Sequence, residues 1–121
     1  MGYIRHHAIV VTSSTEEQTQ QAHIKATEIF TDGKQVSNIV AGVVNGYYSF
    51  FVGPDGSKEG WEDSHHGDYN RMKLITWLKN QAYEDRSSSY SWVEFYYGDD
   101  ENQVAIEDDG GKIIRQKGYK G

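Results

Sequence analysis

Hydrophobic positions recur along this chain with two periods, and the periods predict its elements. Arg5 to Thr12 reads RHHAIVVT, apolar and β-branched after its polar start, with Ile9 and Val11 on one face and Ala8 and Val10 on the other. That is the pattern of a central strand. Ser14 and Glu17 then stand at capping-box spacing, in which each side chain satisfies a free amide at a helix start. Behind them Ala22, Ala26, Ile29 and Phe30 form one helical stripe that stops at Asp32-Gly33. Val36 to Val44 and Tyr47 to Val52 are β-rich runs on either side of Asn45-Gly46, the pair that most easily takes the two positive φ angles of a type I′ hairpin. Gly53-Pro54-Asp55-Gly56 turns the chain again, and Ser57 to Trp61 has the composition of a short returning strand. The polar stretch Glu62 to Gly67 leads to a second helix, capped by Ser64 or Asp68, with Leu74, Ile75, Leu78 and Ala82 as its stripe and Trp77 at the border. Ser91 to Tyr97 and Gln103 to Ile106 read as a hairpin across Gly98 to Asn102. Asp109-Gly110-Gly111 allows one more strand at Lys112 to Gln116.

The order β-α-β-β-α-β-β predicts an α+β fold, a ferredoxin-like two-layer sandwich with both helices on one face of the sheet. A chain of 121 residues encloses one core, so residues 1–121 read as a single domain with a basic C-terminal tail from about residue 110 to 121. Composition narrows the setting. There is no cysteine, which removes disulfides and thiolate metal sites, and no apolar run approaches the roughly 20 residues that cross a bilayer. The first 12 residues lack the pattern of a signal peptide. A cytoplasmic protein with no membrane partner is expected. Eighteen acidic residues against 12 Lys and Arg give a net charge of −6, which disfavours long nucleic acid as a partner.

Candidate chemistry is sparse. Neighbours on a strand point to opposite faces, so His6 and His7 cannot converge on one ion, and His65-His66 is likewise without a helical ligand spacing. Neither a metal nor another cofactor is expected. The chain has no G-x-S-x-G elbow and no phosphate-binding glycine motif, so binding is favoured over catalysis. A phosphodiesterase using His7 with Arg5 or Arg71 is the catalytic alternative.

The aromatic residues carry more. Tyr47, Ser49 and Phe51 alternate with Tyr48, Phe50 and Val52, and Trp92, Glu94 and Tyr96 with Val93, Phe95 and Tyr97. One face of each strand is core, and the other meets solvent, a ligand or a second subunit. Alignment of Tyr47, Phe51, Trp92 and Tyr96 would expose enough apolar surface to make a homo-oligomer. For a small anionic, nucleotide-like ligand, Tyr47 and Trp61 offer stacking rings, and Arg5, His7, Lys58 and Arg71 offer positive or polar groups for phosphate. The plainer assignments are a solvated Lys58, a Trp61 covering the helix–sheet edge and an Arg71 in a surface ion pair. Asp99, Asp100, Glu101 and Glu107 suggest instead an acidic inhibitor of a protein partner.

The segments RHHAIVVTS at 5–13, NGYYSFFVGPDGSKEGWEDS at 45–64 and YSWVEFYYGDDE at 90–101 resemble those of small uncharacterised proteins encoded by bacteriophages. The resemblance spans most of the chain and brings no catalytic residue with it. It implies a phage protein acting in the host cytoplasm. By analogy, its role would be counter-defence, either sequestering a cyclic nucleotide or oligonucleotide immune messenger or blocking a host defence protein.

Overall fold

The apolar run at the start of the chain becomes strand β1 (His6–Ser13), which lies in the middle of the sheet. Its neighbours on the two sides are β3 (Tyr48–Val52) and β4 (Tyr90–Tyr97), with β2 (Val40–Ala41) and β5 (Val104–Asp108) at the edges. The computed structural model describes residues 5–31, 34–58, 60–81 and 90–98, together with the backbone of 104–108. All pairings are antiparallel, in the order β2-β3-β1-β4-β5. The central place of β1 follows from its sequence: Ala8 and Ile9 point to opposite faces and both are fully buried. The fold is α+β, an antiparallel sheet with two helices, α1 (Glu16–Ile29) and α2 (Glu62–Asn80).

Register decides which aromatic residues become core. Val11 stands opposite Phe50 on one side and Trp92 on the other, and Ile9 stands opposite Val52 and Glu94. Residues opposed across a ladder share a face. Phe50, Val52, Tyr90 and Trp92 therefore join Ile9 and Val11 on one side, where Ala22 and Ala26 from α1, Phe30 at its C-cap, and Leu74, Ile75 and Leu78 from α2 complete a single core cluster. The alignment of Tyr47, Phe51, Trp92 and Tyr96 on one open face does not occur. Trp92 is only 7% exposed within the core, whereas Phe51, paired with Val10, points to the opposite side. The open face instead carries Phe51 with Val10, Val93, Phe95 and Tyr97, and Thr12 Oγ1 lies 2.8 Å from Ser49 Oγ at its middle.

Element ends differ from the expected ones for local reasons. Thr15, not Ser14, caps α1, its Oγ1 accepting the Gln18 amide at 3.2 Å. Both residues satisfy the capping spacing, and the burial of Ser13 at the strand end selects the later one. Asn45 and Gly46 have φ of 69° and 67°, as the hairpin turn requires. The run before them pairs with β3 only at Val40–Ala41, with an isolated bridge from Val36 to Val52. Of the returning strand expected at 57–61, the described residues show only a β-bridge position at Lys58 before the chain turns at Gly60. The Trp61 amide donates to the Lys58 carbonyl at 3.1 Å, and Ser64 and His65 donate in turn to the Trp61 carbonyl. The polar stretch is thus the first turns of α2. Ala82, the acidic group at 99–101, the strand proposed at 112–116 and the basic tail lie outside the described residues. Among the described residues no helix is long and apolar enough to cross a membrane.

Leu74 is fully buried and Val43 is 99% exposed. Leu74→Ala is expected to lower unfolding free energy by about 2–5 kcal/mol, and Val43→Ala by no more than about 0.5 kcal/mol, both read from urea denaturation.

Candidate functional site

The turn after β3 and the first turns of α2 build a polar cleft. Asp55 folds back on its own turn, Oδ1 accepting the Ser57 amide at 2.9 Å and the Ser57 hydroxyl at 2.7 Å. Trp61 follows at the N-cap position of α2, where its side chain makes no capping bond. Its ring is 49% exposed and outside the core cluster. The cleft of about 320 Å³ is lined by Asp55, Ser57, Trp61, Asp63, His66 and Asn70, among others. Lys58, which is not part of that lining, holds its ammonium 5.5 Å from the Trp61 ring centroid. Neither lysine nor arginine belongs to the lining, so the cleft is acidic with a positive charge beside it.

Gly67 joins this cleft to the interior. It sits inside α2, where glycine costs about 1 kcal/mol relative to alanine. A Cβ there would lie 2.9 Å from Asp55 Oδ2 and 3.2 Å from Arg71 Nη1. The missing side chain lets a carboxylate and a guanidinium approach the same point of the helix. Arg71 itself is 4% exposed. Its Nε donates to Glu94 Oε2 on β4 at 3.2 Å, and its Nη2 donates to Asp68 Oδ1 one turn earlier. The ion pair expected at the surface for Arg71 instead has a buried guanidinium, because Arg71 stands three and four residues before Leu74 and Ile75 on the same inward stripe of α2.

The same end of the sheet holds Arg5 and His7. His7 is paired with Tyr96, two residues from Glu94 on the same face. The two rings are 5.7 Å apart, and the Arg5 guanidinium lies 4.4 Å from the Tyr96 ring centroid. Lys58 and Trp61 therefore lie together at the start of α2, whereas Arg71, near the middle of that helix and outside the cleft lining, turns to Glu94, with Arg5 and His7 further along the sheet. Tyr47 is not with them. It precedes Tyr48, which pairs with Ser13, and Ser13 lies six steps along the strand from His7, roughly 20 Å.

His6 and His7 contact Tyr97 and Tyr96 on opposite faces, and among the described residues no group of three His, Asp or Glu is placed to hold a metal ion. Asp55, Asp63, Gly67, Asn70 and Glu94 were not identified by sequence reasoning as site residues. Gly67 stood in the polar stretch read as preceding the helix, so its place inside α2 gave no signal until the helix start was known. Comparison with protein-family models, with curated proteins and with solved structures finds no match.

Removing Arg71 alone takes away the guanidinium that lies 3.2 Å from the Glu94 carboxylate, whose side chain is 16% exposed. Arg71→Leu is expected to cost about 3 kcal/mol, and the double variant Arg71→Leu/Glu94→Leu to recover most of it. Urea denaturation of the two proteins checks the order.

Proposed function

We propose that this chain is a non-catalytic binding protein, a ferredoxin-like two-layer sandwich whose cleft at the start of α2 captures a small nucleotide-like ligand. The order β2-β3-β1-β4, antiparallel throughout and with helices after β1 and β3, supports the ferredoxin-like reading, β5 being an added edge. The observation that carries the function is the half-exposed Trp61 ring walling a polar cleft, with the Lys58 ammonium 5.5 Å from its centroid. A base stacked on Trp61 gains about 1–3 kcal/mol. Its phosphate meets Lys58 at the rim, away from Asp55 and Asp63. At about 320 Å³ the cleft is at the lower end of small-molecule pockets. It suits one nucleotide unit, so a larger messenger would be gripped by one base. Ser57, the hydroxyl residue of the lining, donates its proton to Asp55 and not to an imidazole, which favours capture over turnover. Together with the phage resemblance, the role would be sequestration of an immune messenger in the host cytoplasm.

Self-association belongs to the other side of the sheet. On that face Val10, Thr12, Ser49, Phe51, Val93 and Phe95 are all uncharged in a protein of net charge −6, so a second copy meets little repulsion at these residues. Sedimentation is expected to show a dimer that Phe51→Glu dissociates.

Trp61 and Lys58 are both exposed, so neither replacement should move the melting temperature appreciably. Calorimetric titration with nucleoside monophosphates and cyclic dinucleotides should show Trp61→Ala losing about tenfold or more in affinity, and Lys58→Ala a smaller amount. Unchanged binding in both variants rejects the site.

A further inference from the structure

The walls of the cleft hold more open acceptors than donors, and that imbalance selects among ligands. Asp55 commits Oδ1 to Ser57, while its Oδ2 lies beside Gly67 and takes no hydrogen bond among the described residues. Asp63, in the first turn of α2, and Asn70, two turns on, have side chains equally unengaged among the described residues. A ligand seated here must turn N–H or O–H groups toward the carboxylates and a flat face toward Trp61.

Building on the nucleotide reading above, we propose that the base bound in the cleft is guanine. Guanine presents two adjacent donors, N1–H and the 2-amino group, along one edge, and a carboxylate accepts such a pair. Adenine and cytosine place an acceptor nitrogen beside their amino group, and uracil sets carbonyl oxygens on either side of its single N–H. Each of those edges brings a lone pair against Asp55 or Asp63. Gly67 is part of the same device. A Cβ at this position would come within 2.9 Å of Asp55 Oδ2, so any side chain here displaces the oxygen that faces the ligand.

Calorimetric titration of the full chain with GMP, IMP and AMP tests the proposal, since IMP keeps the N1–H and lacks the 2-amino group. GMP is expected to bind about tenfold or more tightly than IMP and more tightly still than AMP. Asp55→Asn or Asp63→Asn should bring GMP down to near the IMP affinity and strengthen AMP, because the adenine N1 lone pair then faces an amide that can donate to it instead of a carboxylate. Gly67→Ala gains helix propensity but places a Cβ against both Asp55 Oδ2 and Arg71 Nη1, and should weaken GMP more than AMP. Circular dichroism melts confirm that each variant is folded. Equal binding of GMP and AMP, still lost in Trp61→Ala, overturns guanine selection and leaves the nucleotide reading standing. A GMP preference retained in both aspartate variants also overturns the assignment to this cleft. Failure of all three nucleotides to bind removes both readings.

Discussion

The buried guanidinium of Arg71, held between Asp68 on its own helix and Glu94 on β4, decides where the first half of α2 lies. The second half is held by ordinary means, because Leu74, Ile75 and Leu78 enter the core. The first half has no such stripe: its buried positions are Ser64, Gly67 and Arg71. Apolar burial cannot anchor those turns, so the ion pair takes its place. A buried pair contributes little net stability once desolvation is counted, yet removing one partner is costly. Its effect here is positional.

That substitution of charge for apolar contact shapes the cleft. With no bulky apolar side chain between the first turns of α2 and the turn after β3, the helix can approach Asp55 through Gly67. The space that remains is polar, walled by a ring that the core does not need. Trp61 stays exposed because it stands at the helix N-cap, before the stripe begins. Lys58 then sits against that ring from the turn below, a consequence of the bond from the Trp61 amide to the Lys58 carbonyl. Stacking surface, acceptors and a peripheral cation are brought together by one local feature, the early start of α2.

The charge arrangement also separates two parts of the molecule that the sequence alone made look equivalent. Arg5 and Arg71 are both basic residues near the same end of the sheet, but Arg5 covers the Tyr96 ring and Arg71 is bound to carboxylates. Lys58 is the cation beside the cleft that is exposed. The exposed positive charge of the cleft therefore lies beside its rim, and the carboxylates of Asp55 and Asp63 lie in its lining.

Periodicity was enough to determine the elements whose signal is local: the two-sided burial of β1, the apolar stripes of α1 and the later part of α2, and the Asn45-Gly46 turn with its positive φ angles. These depend on neighbours within a few residues, where spacing maps directly onto a face. Lys58 and Trp61 could be paired from sequence for the same reason. The assignment of Trp92 to the core and Phe51 to the open face was decided by the register of β3 and β4 on β1, strands far apart in the chain, and neither strand's alternation states which of its faces is the inner one. The start of α2 was hidden because its buried side is polar and small, and a hydrophobic period cannot register such a side. Asp55 beside Gly67, and Glu94 beside Arg71, were decided only by tertiary structure, since opposite charges and a helical glycine acquire meaning when the fold brings them within contact distance.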